Sequence, residues 1–187
     1  GAQPLRRKDL RAGPLFRQLV AQFCESPLAE HCGITLEQEE PAEQTMLSVD
    51  EALLARLLEN LLSNSVRHNL KPVNITVHTR RAGERFCLTV ADDGIGYPAA
   101  VLAALNAVEP AENAPHILGL YVVQQIAAAH GGRAVFGQNT PCGAKATVWL
   151  PIKNVNLLGV STQKSPHRKS CFGFIRDRSC PNPCHES

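Results

Sequence analysis

The chain has 187 residues, enough for one domain with tails. A hydrophobic share of 44% supports one real core, and with aromatics at 5% that core must rest on Leu, Val, Ile and Ala. With 19 Lys and Arg against 17 Asp and Glu, the formal charge is +2, which gives no electrostatic reason to expect nucleic acid or a membrane surface as partner.

Residues 1–13 are basic and poor in core side chains, and they read as a frayed linker with no signal peptide ahead of the first helix. Leu15, Leu19, Val20 and Phe23 recur at helical spacing, which predicts a helix over 15–29 that Gly33 breaks. Short strands follow over 34–37 and 45–49. Ser48 or Asp50 then caps a helix with Glu51 in its first turn, running to about Asn69 before Lys71-Pro72 ends it. Val73, Ile75 and Val77 alternate with polar partners, a half-buried strand over 73–80, and Ala82-Gly83-Glu84 turns it into a hairpin mate over 85–91. A short helix over 98–108, a polar Pro-containing loop over 109–115 and a helix over 118–130 come next, the last stopped by Gly131-Gly132. Strands over 134–137 and 145–150 close the pattern. The sum is an α+β fold: a two-layer sandwich with a mixed, mostly antiparallel sheet covered by helices on one face.

The domain spans 14–152. Residues 153–187 are rich in Ser, Pro, Cys and basic residues without a sustained period, and they read as a disordered or artificial tail. The basic runs Arg6-Arg7-Lys8 and His167-Arg168-Lys169 fall in the two tails, as solvated charge. No run approaches the ~18 apolar residues of a membrane span. Of the 7 cysteines, Cys24, Cys32, Cys87 and Cys142 lack ligand spacing. Cys180-Pro-Asn-Pro-Cys184-His185 looks like a metal knuckle without its second ligand pair, so reduced thiols are expected.

Three segments carry chemistry. On the helix from 51 to 69, Leu54, Leu57, Leu58, Leu61, Leu62 and Val66 share one broad face, and Asn60, Asn64, Arg67 and His68 form an adjoining stripe. That stripe is a poor core and a good wall for phosphate and metal: a carboxamide oxygen is a hard, neutral Mg²⁺ ligand, and a guanidinium pairs with phosphate oxygens. Taken alone, it also fits the ordinary polar border of an amphipathic helix. Asp92-Asp93-Gly94-Ile95-Gly96-Tyr97-Pro98 follows a strand directly. A carboxylate there accepts a hydrogen bond from an exocyclic amine such as that of adenine, and the glycines let backbone approach a flat ligand. An Asp-Gly turn is the plain alternative, and spacing does not decide between the two aspartates. Finally, Leu118-Gly119-Leu120 opens a helix whose free N–H groups and positive dipole end suit phosphate. Its stripe of Leu118, Val122, Ile126 and Ala129 also suits a buried helix.

In order, these pieces resemble the catalytic domain of sensor histidine kinases, within the wider GHKL, or Bergerat-fold, ATPase superfamily shared with type II topoisomerases, the ninety-kilodalton heat-shock chaperone and mismatch-repair ATPases. Leu57 to Asn69 resembles the asparagine box, Asp92-Asp93-Gly94-Ile95-Gly96 the first glycine box, and Leu118-Gly119-Leu120 with His130-Gly131-Gly132 the second. Gly143-Ala144-Lys145-Ala146, leading to Leu150-Pro151, resembles the last strand. The resemblance implies ATP and Mg²⁺ as cofactors. By it Asn64 is the Mg²⁺ ligand, Asn60 supports the phosphates, and Arg67 and His68 contact phosphate or ribose. Asp92 holds the adenine amine, Gly94, Ile95 and Gly96 shape the pocket, and Leu118, Gly119 and Leu120 begin the phosphate-side helix.

The chain departs from that family at three points. Pro115 and Ile117 stand where glycines are usual, so the loop should be stiffer. The segment between the glycine boxes is short and lacks a phenylalanine box. None of the 7 histidines sits in a phosphoacceptor context. The resemblance therefore implies a protein-histidine kinase domain that transfers the γ-phosphoryl group to a histidine on separate dimerisation helices, with a response regulator downstream. It implies a cytoplasmic domain, monomeric alone, of a homodimeric bacterial parent anchored in the inner membrane. In hydrolytic relatives a glutamate one turn before the metal asparagine activates water. Here that position is Asn60, and Glu59 points roughly 140° away from Asn64. Transfer is expected over hydrolysis. A hydrolytic ATPase, or an interaction module that no longer binds nucleotide, is the alternative.

Overall fold

The structure is a computed structural model that describes residues 4–105 and 117–153. In chain order the elements are β1 (Lys8–Arg11), α1 (Ala12–Cys24), a 3₁₀ turn (Pro27–His31), β2 (Cys32–Gln38), the single turn α2 (Glu40–Glu43), β3 (Met46–Val49), α3 (Glu51–Arg67), β4 (Val73–Ala82), β5 (Arg85–Asp92), α4 (Ala99–Leu105), α5 (Leu118–Ala129), β6 (Arg133–Gln138) and β7 (Ala144–Pro151).

Alternation in β4 and β5 puts Val73, Ile75, Val77, Leu88 and Val90 on one face. They meet Ala146, Val148 and Leu150 of β7 and the leucines of α3 in one core cluster. Leu54, Leu57, Leu58, Leu61 and Leu62 are 0–2% exposed, and burial at that depth stabilises by about 1.5–3 kcal/mol per side chain. Asp50 caps α3, its Oδ1 accepting the Leu53 N–H at 3.2 Å. At the far end of α5, Gly131 takes φ +77° and the Gly132 N–H bonds the Ala127 carbonyl at 2.8 Å, a left-handed stop of the expected kind.

The main sheet has the order β2-β4-β5-β7-β6. Its β2–β4 pair is parallel and the others are antiparallel, so the expected mixed, mostly antiparallel α+β architecture is the one observed. The other face of the sheet is half-exposed. Thr89 lies opposite Thr147, and Cys87 opposite Trp149, whose ring carries the Arg80 guanidinium 5.2 Å from its centroid.

The N-terminal residues depart from the expected frayed linker. β1 pairs antiparallel with β3 in a separate two-stranded ribbon. The Arg6 N–H bonds Asp50 Oδ2 at 2.9 Å, and Arg7 donates to the Ala129 carbonyl at the end of α5, also at 2.9 Å. Lys153, beyond β7, bonds Asp9 and the Met46 carbonyl. The first helix also ends earlier than its apolar spacing implies. Pro27 cannot continue it, and Gly33 lies inside β2. The predicted loop over 109–115, the end of the helix predicted over 98–108, and the knuckle at Cys180 to His185 lie outside the described residues. Among the described residues no helix is long and apolar enough to cross a membrane.

Candidate functional site

A cavity of about 270 Å³ opens between α3 and the turn that follows β5. The last turn of α3 contributes Asn64 and Ser65, and the two residues that follow the helix, His68 and Asn69, line the cavity too. The turn contributes Asp92, Ile95, Gly96 and Tyr97, and Leu120 of α5 and Ala144 of β7 form the inner wall.

Asp92 ends β5 and is 2% exposed, a depth at which a carboxylate needs partners. Its Oδ1 accepts the N–H groups of Gly94 and Ala144, each at 3.0 Å. Its carbonyl accepts from Asn139 Nδ2 at 2.9 Å. Among the described residues nothing bonds Oδ2, which leaves that oxygen for the cavity that Asp92 lines. Gly143, at φ +104°, packs so closely over the Asp92 carbonyl that a Cβ would overlap it. Asp93 turns the other way. It accepts Asn74 Nδ2 at 2.7 Å and the Asn74 N–H at 2.8 Å, which together hold its carboxyl below the usual range. Of the two aspartates, Asp92 alone lines the cavity.

Asn69 stitches the two walls together. Its Oδ1 accepts the Ile95 N–H at 2.9 Å and its Nδ2 donates to the Ser65 carbonyl at 2.6 Å. The amide lies where a Cβ on Gly94 would sit, so Gly94 supports the wall from behind rather than lining it. Ile95 is exposed at the rim. Gln138 of β6 holds Tyr97 like an added strand: the Tyr97 N–H donates to its Oε1 at 3.0 Å, and its Nε2 donates to the Tyr97 carbonyl at 2.6 Å. The Tyr97 ring meets Phe136 edge-on at 6.0 Å. Burial, and after it the charge of Asp92, push the Tyr97 phenol above its ordinary pKa.

The expected stripe of Asn60, Asn64, Arg67 and His68 is split. Asn64 and His68 line the cavity, while Arg67 is exposed and lies off it. Asn60 sits one turn back, donating from Nδ2 to the Arg56 carbonyl at 2.8 Å, with its Oδ1 3.2 Å from the Cβ position of Gly119. The cavity therefore faces the stripe 64–65–68–69, displaced around the helix from the expected one. On α5, Leu120 reaches the cavity, Gly119 faces Asn60, and Leu118 is 65% exposed. Among the described residues no side chain caps the α5 N-terminus, where Ile117 is buried. Glu59 lines a different groove, with Leu19 and Phe23 of α1.

Sequence reasoning did not single out Ser65, Asn69, Tyr97, Val101 or Ala144 as site residues. Ala144 acts through its backbone N–H, which has no side-chain signature. Asn69 stands at the end of the helix predicted over 51–69, two residues past the observed end of α3. Among the described residues no cluster of three or more His, Cys, Asp or Glu could hold a metal ion. A hard cation beside Asn64 would need oxygens supplied by its ligand, as phosphates supply them to Mg²⁺.

The sequence family described as histidine kinase-, DNA gyrase B-, and HSP90-like ATPase matches residues 49–154. The chain is 29% identical over 153 residues to the sensor histidine kinase YvrG of Bacillus subtilis (strain 168), covering 79% of this chain. It spans about a quarter (26%) of the length of that relative. The catalytic domain of histidine kinase ThkA has the same fold, with a TM-score of 0.66 at 17% identity over 79% of this chain and 96% of that one. Full-length ShkA, solved in complex with AMPPNP, gives a TM-score of 0.64 at 23% identity over 81% of this chain and 32% of that one.

Proposed function

The chain belongs to the histidine kinase-, DNA gyrase B-, and HSP90-like ATPase family, and from that premise we propose that it binds Mg-ATP in the cavity beside Asp92 and donates the γ-phosphoryl group to a histidine on a separate phosphoacceptor domain. One observation carries this reading: a single cavity is lined both by Asn64 and by Asp92, whose Oδ2 has no partner among the described residues.

Asp92 Oδ2 accepts from the exocyclic amine of adenine, and Gly96 and Leu120 flank the base. The phosphates run toward His68 and the first turn of α5, which has no side-chain cap among the described residues and where N–H groups and the helix dipole favour anions. Asn64 holds Mg²⁺ together with phosphate oxygens, and the ion supplies charge neutralisation during transfer. The protein's own contribution is positioning.

Transfer is favoured over hydrolysis because no base stands at the water-activating position. Asn60 is an amide, and Glu59 belongs to the α1 groove. An imidazole nitrogen needs no such base. His130 does not qualify as acceptor, being buried with both ring nitrogens engaged. By the family resemblance the acceptor comes from dimerisation helices of the parent, with a response regulator downstream. That parent is a membrane-anchored homodimer whose cytoplasmic side carries this domain.

Calorimetric titration with Mg²⁺ and a non-hydrolysable ATP analogue tests the binding step, and absence of binding would support an interaction module instead. Mixing the chain with a separately prepared dimer of acceptor helices tests transfer. Acid-labile phosphate on histidine is the expected product; release of inorganic phosphate alone would indicate a hydrolase.

A further inference from the structure

Tyr97 is held from two sides. Gln138 pins its backbone through two hydrogen bonds, and Phe136 meets the edge of its ring. The residue is 8% exposed and lines the cavity, yet its hydroxyl has no hydrogen-bond partner among the described residues. Burial and the Asp92 charge keep the phenol protonated across the physiological range, so the group is available as a donor.

The cavity lining thus includes two residues with different polar groups, Asp92 and Tyr97. Asp92 Oδ2, an ionised oxygen, only accepts, and the Tyr97 hydroxyl donates. Adenine offers the complementary pair, an exocyclic amine next to ring nitrogens that accept. At the same edge guanine offers a carbonyl oxygen, which faces the carboxylate unfavourably, beside a protonated ring nitrogen. Sites built to pair with such groups reject analogues that leave them unpaired.

We propose that Tyr97 is a specificity-determining ligand contact whose hydroxyl donates to a ring nitrogen of the base that Asp92 holds by its amine. This inference rests on the nucleotide reading above.

The test uses the full chain, wild type and Tyr97→Phe, titrated with ATP, 1-deaza-ATP and 7-deaza-ATP. Phe keeps the ring against Phe136, and an unchanged urea midpoint confirms the fold. Tyr97→Phe should bind ATP about fivefold to tenfold more weakly. That deficit should vanish for the one deaza analogue that lacks the nitrogen Tyr97 reads. Equal ATP affinity in the two proteins overturns the inference, as does an equal deficit on all three nucleotides, which would mark a purely structural role. Failure of the wild type to bind any of them sinks the nucleotide reading itself.

Discussion

The Nε2 of His130 accepts the backbone N–H of Asp50 at 3.0 Å while its Nδ1 lies 2.8 Å from the Ile126 carbonyl. A neutral imidazole protonated on Nδ1 satisfies both contacts. One side chain thereby joins the end of α5 to the start of α3, the two helices that flank the cavity. His130→Phe conserves volume but strands the Asp50 N–H, so stability should fall by about 2 kcal/mol. Urea denaturation followed by circular dichroism measures it; an unmoved midpoint would mean that the junction contributes nothing.

Asn64→Ala removes a half-exposed carboxamide that makes no side-chain hydrogen bond among the described residues, so the fold should survive. Mg²⁺-dependent ATP binding should be lost in calorimetry. Affinity equal to wild type with Mg²⁺ present would count against Asn64 as the metal ligand.

Asp92→Asn keeps an oxygen for the Gly94 and Ala144 N–H groups and replaces the cavity oxygen with a donor. A hydrogen bond to a charged group contributes about 1.5–3 kcal/mol. ATP and ADP should therefore weaken alike, by about tenfold to a hundredfold. A loss confined to the triphosphate would remove Asp92 from the base.

Gly143→Ala places a Cβ on the Asp92 carbonyl in a backbone conformation at φ +104° that L residues rarely adopt. The expected loss is about 2–4 kcal/mol, with weaker nucleotide binding in whatever remains folded. Thermal melting and calorimetry on the same sample give both numbers.

Asp93 supplies a pH signature. Asn74 holds its carboxyl below the ordinary value in the folded state, so its stabilisation is complete above the unfolded pKa, about 3.9. It is lost as pH falls through the lower folded value. Asp93→Ala should therefore be less stable than wild type at neutral pH, and the two urea midpoints should converge as pH drops below about 4. The difference should be small because the pair is exposed. A gap that persists in acid would assign the effect to packing instead.

Burial of one face imposes a period, which is why α3 and the β4–β5 hairpin are legible in the sequence. The same holds for the Asp92 turn, which follows a strand directly and carries two glycines. β1 is not legible, because Lys-Asp-Leu-Arg buries almost nothing and exists through its pairing with the distant β3, as in Asp9 opposite Ser48 or Arg11 opposite Met46. The cavity itself is half legible. Asn64 and His68 stand out by residue type and spacing, and Asp92 is told from Asp93 only by the family resemblance, but a helical wheel fixes the angle between side chains and not the direction of the partner. Arg67 fell inside the expected stripe for that reason, and Asn69 outside it. Ala144 and Gln138 act through tertiary hydrogen bonds that leave no local pattern.

The chain's single tryptophan, Trp149, sits on the half-exposed face of β7, beneath Arg80, while Ala144 on the opposite face borders the cavity. Its intrinsic fluorescence therefore reports the integrity of the sheet and is insulated from events on the helix side. Saturating ligand should leave the emission maximum in place, whereas denaturant should shift it to the red as the indole loses its strand neighbours. The protein thus carries an unlabelled optical control that separates a variant that cannot bind from one that cannot fold.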